Sequence, residues 1–513
     1  TPPPTPHSYT GLYSSAASDV YKRQIHDPDD PWSNIGYWGD HQVNYLMKLL
    51  ELSQQYQPSE LAGLLDRKLF VYADVPYRIM PYRTMLNDPR ETVKYDKRYA
   101  RQVDDRVLKM GADGRLVTCS GEIHRVNLLE KLLVMTLVKL GNLVPGGGIW
   151  MNTQRPEWND ANNALVGYGL SMVTLCYLRR FLVFLSELLS ENQFAEYAVS
   201  GEVGQFFTGM KELLLEGPVT PGEAVSNRSR KRFMDRAGEV SEVYREQVYR
   251  GFSGRTATLT AQDMQAFIVH CTALLDDSIT ANRRQDGLYH SYNLLQMAEE
   301  ECGIEHLQEM LEGQVAVLSS GVLEPEQCLD LLDSLHASDM YRPDQNSYIL
   351  YPAPALPGFL EKNLIDSELA AASDLVQAEQ EAGRADFIEQ DMLGRYHFNG
   401  RFRNAGELKK ALENERELDE DTIVRACDLF EQVFSHRRFT GRSGAMYKYE
   451  GLGCIYWHMV SKLLLALAEI LPGVPAEQAD VRDGLLRHYD QVKQSLGAHK
   501  NPADYGAFPM DPY

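Results

Sequence analysis

From Asp40 to Ser495, apolar residues return at helical spacing in one segment after another, and a chain built this way must pack helices against helices. Residues 40–56 carry Val43, Leu46, Met47, Leu50 and Leu52, and residues 122–140 carry Val126, Leu129, Leu132, Leu133, Leu137 and Leu140. In each case one face of a helix is apolar. The same spacing predicts helices over 202–215, 225–252, 260–280, 324–336, 405–415, 420–434, 452–471 and 478–495. The run from Ala164 to Leu188 is almost unbroken Leu, Val, Met, Tyr and Phe and reads as a buried helix. Arg179 and Arg180 interrupt it, so no membrane span is expected. Strand signals are few, the best being the alternation over 341–352 with Ser347-Tyr-Ile-Leu-Tyr351. No fixed period recurs, which disfavours a regular solenoid.

Between the helices lie long aromatic, proline-rich connections: 32–38, 70–86, 146–159, 289–292, 341–351 and 437–449. Most are too long or too decorated to be simple connectors. A toroid of paired helices, an (α/α)6 barrel, would gather them at one end as the rim of a cleft. With 44% hydrophobic residues the chain can build a substantial core. Its formal charge of −21 argues against a nucleic-acid partner, which would need clustered Lys and Arg. Uncharged sugars suit such a surface. The seven cysteines form no CxxC pair or Cys/His ligand set, so a reducing, cytoplasmic setting and no metal are expected. HExxH, GxGxxG and P-loop patterns are absent. Residues 1–24 resemble a translated sequencing adapter and are set aside. The expected domain is 25–513, read as open at both ends, and self-association is left open.

The segment that carries chemistry is Arg155-Pro-Glu-Trp-Asn-Asp160, between the glycine-rich Pro145-Gly-Gly-Gly-Ile-Trp150 and the apolar run. It sets two carboxylates, Glu157 and Asp160, and an indole, Trp158, at a helix mouth. Such residues cleave sugars, because a glycosidic oxygen leaves poorly unless a carboxylic acid protonates it. Capping of the following helix is the plainer reading of the same two carboxylates.

Glu157-Trp-Asn-Asp160, with its preceding glycines, resembles the Gly-Gly-Gly-Asp-Trp-Asn-Asp-Gly signature of cellobiose-phosphorylase-like enzymes, inverting sugar phosphorylases built on an (α/α)6 barrel. The resemblance implies that Asp160 is the general acid and that Trp158, with Arg155 and Asn159 beside it, belongs to the sugar site. Glu157 stands where the family has Asp and is the alternative acid. Gly36-Tyr-Trp-Gly-Asp-His-Gln42 is similar to the family's early substrate-binding turn, without its arginine, and contributes Trp38, Asp40, His41 and Gln42. Glu450-Gly-Leu-Gly-Cys-Ile-Tyr-Trp-His458 is similar to its Glu-Asn-Gly-Gly-x-Phe-x-His stretch and contributes Tyr449, Glu450, Trp457 and His458.

No cofactor is implied, inorganic phosphate being the possible co-substrate and an oligosaccharide the substrate. If water rather than phosphate attacks, a second carboxylate must act as base, first Glu450 and then Asp40. His458 and the trio His436-Arg437-Arg438 are cations that suit a phosphate pocket and equally a surface patch. The opposing reading is a catalytically silent carbohydrate-binding or scaffold protein on the same barrel. Arg283, Asp286, Tyr289 and His290 read as a hydrogen-bonded turn.

Overall fold

The computed structural model describes residues 40–89, 92–152, 165, 167–190, 195–352, 359–415, 418–434 and 455–496, with only the backbone of Asp40, His41, Gln42, Ser59, Phe359, Leu360 and Glu415. Where the sequence reading treats 25–513 as one domain, the chain divides into two compact units. The excursion Ala353–Leu452 forms most of the second, and the chain on either side of it forms most of the first.

Both units are mainly helical. Helices of eight residues or more are numbered α1 (Asp40–Tyr56), α2 (Lys97–Met110), α3 (Leu128–Leu140), α4 (Met172–Ser190), α5 (Gly201–Glu216), α6 (Asn227–Arg250), α7 (Ala261–Ala281), α8 (Leu311–Ser320), α9 (Pro325–Ala337), α10 (Asp374–Glu381), α11 (Ala405–Glu415), α12 (Glu420–Phe434), α13 (Trp457–Ile470) and α14 (Ala479–Ser495). Most match the apolar spacing within a few residues. Two expected helices begin six or more residues later than the spacing suggests. The first starts at Leu128 because the Asn127 side chain accepts from the Glu130 amide and caps it, after residues 118–126 have turned through short strands. The second starts at Met172 because Gly169–Ser171 is a strand, entered through Gly167 at φ +96°. A continuous apolar run does not by itself separate a buried strand from a buried helix.

In the large unit α4 packs on α1, α3, α7 and α8, while α8 packs on α9 and α13, and α14 packs on α9 and α13. Every residue of α8 is buried, so it is a central helix with no solvent face. Cross-links fix the helix directions. Lys462 of α13 lies 6.0 Å from the Tyr45 ring of α1, and seven residues later Glu469 pairs with Lys48 of α1. At that same end Arg180 of α4 binds Glu51 of α1, Glu469 of α13 and the Ser319 carbonyl of α8. Glu312, at the start of α8, is within electrostatic reach of Lys462. Thus α1, α8 and α13 run the same way. By contrast α7 runs against α4, since Asp276 meets Arg179 while Gln265 meets the Ser186 carbonyl.

A five-stranded antiparallel sheet, largely unforeseen from the spacing, joins these helices. Its strands are β1 (Leu143–Val144), β2 (Gly148–Trp150), β3 (Gly169–Ser171), β4 (Tyr292–Met297) and β5 (Cys302–His306), in the spatial order β5-β4-β3-β2-β1. Leu170 pairs with Trp150 on one side and Asn293 on the other, and Asn293 pairs in turn with His306. Four helices separate β3 from β4 in the chain. The strands are too short, and too widely interrupted, for alternation to reveal them. The expected extended segment appears as the hairpin Tyr341–Arg342 with Ser347–Tyr348.

The second unit packs α10, α11 and α12 around the hairpin Ile388–Gln390 with Tyr396–Phe398. Its core is aromatic and aliphatic: Phe387, Phe398, Phe402, Leu408, Leu412 and Phe430. Phe398 meets Phe430 edge-on at 4.9 Å. The buried Glu379 accepts the Phe387 amide at 3.0 Å.

Candidate active site

Because α1, α8 and α13 run in one direction, their first turns lie toward one end of the large unit. The backbone of Asp40, His41 and Gln42 opens α1, Leu311 and Glu312 open α8, and Trp457 and His458 open α13. Glu312 is fully buried and accepts the Tyr292 hydroxyl at 2.8 Å. His458 and Lys462 share one face of α13, four residues apart. Burial first, then the Lys462 ammonium, bring the His458 imidazole down to about 4. It is therefore neutral near pH 7, a hydrogen-bonding group rather than a cation. Burial also lowers Lys462, while the Glu312 carboxylate opposes that shift. Burial and then Glu312 push the Tyr177 hydroxyl up.

The glycine-rich segment forms the turn between β1 and β2, with Gly146 at φ +76° and Gly148 at φ +127°. At Gly147 and Gly148 there is no room for a side chain. A Cβ on Gly147 would come within 2.6 Å of Leu170 Cδ1, and one on Gly148 within 2.9 Å of the Ser171 backbone. Four buried polar side chains hold the turn. Ser278 Oγ accepts the Gly146 amide at 3.0 Å, and Asn282 Nδ2 donates to the Gly146 carbonyl at 2.9 Å. Asn293 Nδ2 donates to the Gly147 carbonyl at 2.7 Å, and Arg230 Nε to the Pro145 carbonyl at 2.8 Å.

Beyond the turn the chain is held at both ends of the segment that follows. The Gly167 amide donates to the Met151 carbonyl at 2.7 Å, the Met151 amide to the Gly169 carbonyl at 2.9 Å, and Trp150 Nε1 to the Gly167 carbonyl at 3.0 Å. Asn152 is anchored through its amide to Asn142 Oδ1 at 2.7 Å. The carboxylate-bearing stretch of the sequence thus departs from, and returns to, a hydrogen-bonded stem.

Of the residues singled out from the sequence, Trp38, Arg155, Glu157, Trp158, Asn159, Asp160, Tyr449 and Glu450 lie outside the described residues, as do His436-Arg437-Arg438 and residues 1–24. Trp457 and His458 are half-buried at the start of α13. Several aromatic residues expected at a rim are core instead: Trp150, Tyr289, Tyr292, Tyr348 and Tyr351 are all buried. The turn at 283–290 is hydrogen-bonded as expected, with Arg284 on Asp286 and the His290 ring stacked 4.2 Å from His306. Sequence reasoning missed Glu312, Lys462, Asn282, Asn293 and His306. A lone carboxylate inside the apolar Leu311–Ser320 and a lone amide inside the apolar Tyr292–Leu295 were the available signals. Among the described residues no group of His, Cys, Asp and Glu could hold a metal ion, and no helix is long and apolar enough to cross a membrane.

Residues 356–437, inside the second unit, match the family model for GH149 phosphorylase insertion domain 2. This match supports a glycoside phosphorylase, a carbohydrate-active enzyme, as the class of protein. No curated protein is a significant match to the chain.

Proposed function

We propose that the chain is the catalytic part of an inverting glycoside phosphorylase built on an (α/α)6 barrel and acting on an oligosaccharide. The observation that carries this reading is the match of 356–437 to a phosphorylase insertion domain. The shared direction of α1, α8 and α13 supports the barrel, since a toroid of this kind has parallel inner helices with the site at one end.

In the proposed mechanism Asp160 protonates the departing glycosidic oxygen, with Glu157 as the alternative acid. Inorganic phosphate attacks the opposite face of the anomeric carbon, releasing sugar 1-phosphate, and no protein base is required. Trp38, His41, Gln42, Arg155, Trp158, Asn159, Tyr449 and Trp457 are assigned to the sugar. His458, neutral and turned to one face of α13 with Lys462, suits hydrogen bonding to phosphate. Glu450 then binds substrate, and it or Asp40 serves as base only if water replaces phosphate.

The test is incubation of the purified protein with α- and β-linked disaccharides and short glucans, with and without phosphate, assaying sugar 1-phosphate and reducing ends. Phosphate-dependent sugar 1-phosphate is the expected result. Phosphate-independent hydrolysis would replace the phosphorylase with an inverting hydrolase. Binding without turnover would point to the silent carbohydrate-binding protein.

A further inference from the structure

Tyr45, Leu49, Leu52 and Tyr56 stand in a row on the solvent face of α1, and each keeps half or more of its surface in water: 51%, 64%, 52% and 76%. Their steps of four, three and four residues hold all four within one narrow stripe of the helix. The opposite face of α1 is core, with Val43, Met47 and Leu50 buried. A helix that met only water on its outer side would be polar there. Singly exposed leucines are ordinary, whereas a contiguous apolar row marks a surface that another molecule covers.

The row carries its own indication of what covers it. Between Val43 and Tyr56 the charged residues are Lys48 and Glu51, and both are drawn into ion pairs within the unit, to Glu469 and Arg180. A chain of net charge −21 repels its own copies, yet this face presents no charge to a second one. The row also reads the same in both directions, Tyr-Leu-Leu-Tyr, and its spacing is unchanged on reversal. Reversal is what a two-fold axis across a helix imposes, because the two copies then run antiparallel. With the axis between Leu50 and Glu51, Tyr45 meets Tyr56 of the second copy and Leu49 meets its Leu52, each pair occurring twice. The alternating steps of three and four are those of a coiled-coil seam, and opposed helix dipoles attract. The row is about 16 Å long, short enough for helices crossing near 20° to touch throughout. At roughly 100–200 Å² of exposed surface apiece, the four residues of both copies together offer on the order of 1,000 Å², the lower bound for a specific interface.

We propose that the outer face of α1 is a self-association surface, on which a second copy of the chain docks antiparallel through Tyr45, Leu49, Leu52 and Tyr56. The leucines form the dry centre, and the tyrosines close its two ends with their hydroxyls toward water. This pairing does not depend on the phosphorylase reading and holds for an inactive protein as well.

The experiment is sedimentation equilibrium of the full chain and of two variants, Leu49→Lys and Leu52→Glu, each alone and then mixed in equal amounts. Both positions are more than half exposed, so the substitutions leave the packing of the unit intact, which circular dichroism checks. The wild type is expected to dimerise. Each variant alone should dimerise roughly 10²-fold more weakly, because it buries a charge against a leucine at the centre of the interface. The mixture should recover association, since the introduced lysine of one copy then faces the introduced glutamate of the other while the remaining layer stays leucine on leucine. A parallel pairing would set 49 against 49 and 52 against 52 and gain nothing from mixing. A wild-type chain that is monomeric throughout would overturn the proposal, as would a dimer indifferent to Leu49→Lys. Loss in each variant without recovery on mixing would overturn the antiparallel register.

Discussion

Replacing Arg180 by Met should loosen three helices besides its own. Its guanidinium binds Glu51 through Nε at 2.7 Å and Nη2 at 3.0 Å, Glu469 through Nη1 at 2.6 Å, and the Ser319 carbonyl through Nη1 at 3.0 Å. The methionine stem would fill similar space, so packing changes little and the loss is electrostatic. At an effective dielectric near 20 a charge pair about 4 Å apart is worth about 4 kcal/mol before desolvation. Removing one member of a buried pair costs roughly 3–5 kcal/mol because the other is left uncompensated. Here the side chains of Arg180, Glu51 and Glu469 are 20–25% exposed, and Lys48 remains as a second cation for both carboxylates. Water and Lys48 take up part of the deficit, leaving about 2–3 kcal/mol. Arg180→Lys, which keeps the charge but not the fork, should lose about half as much. Urea unfolding followed by tryptophan fluorescence gives the total. Because two units can unfold separately, hydrogen exchange over 44–52, 312–320 and 460–470 is needed to locate the effect. A loss below about 1 kcal/mol, Lys as damaging as Met, or faster exchange confined to α4 would refute the view of Arg180 as a joint between helices.

Acid should destabilise the large unit before carboxylates titrate. His290, depressed to about 4 by burial and then by His306, and His458, also at about 4, bind protons more readily unfolded than folded. Their cost is absent above the ordinary histidine value near 6.5, grows as pH falls toward 4 and levels off below it, at about 1–3 kcal/mol each. His290→Asn should flatten the pH dependence of the urea midpoint across that window, and an unchanged slope would exclude His290 as a contributor. Gly148→Ala must push a methyl against the Ser171 backbone at a φ of +127°, and a melting temperature within a few degrees of wild type would contradict the packing of the turn. Phe430→Ala should cost roughly 3–5 kcal/mol in the second unit, exposing 359–434 to limited proteolysis while the large unit stays protected. In Asp160→Asn, glycoside turnover should vanish with sugar binding retained, and turnover within a few-fold of wild type would transfer the acid role to Glu157.

The helices were legible because each buries one stripe or its whole circumference, and periodicity reports burial directly. Boundaries moved where local chemistry outweighed period: Asn127 delayed α3, and the strand Gly169–Ser171 delayed α4. The sheet was hidden because its strands are short and β3 and β4 are separated by α4, α5, α6 and α7, so no hairpin signal joins them. The aromatic loops misled in part. Tyr292 and Tyr348 are large enough to serve as core, and composition does not distinguish a ring facing sugar from one facing leucine. The glycine turn was found, but its holders were not. Ser278, Asn282 and Asn293 come from one helix, the residue that ends it and a strand, which only the folded chain brings together.

The large unit closes behind its insertion. Ile349 and Ile455, on opposite sides of the excursion Ala353–Leu452, are paired as an antiparallel bridge, and both are buried. To the large unit, everything between them is a loop whose ends already meet. Loop closure entropy rises only about 0.6 kcal/mol for each doubling of length. A bridge of this kind therefore works as a socket, at which an ancestral turn could be exchanged for a folded module, or a module trimmed back to a turn, while the helices on either side keep the same neighbours.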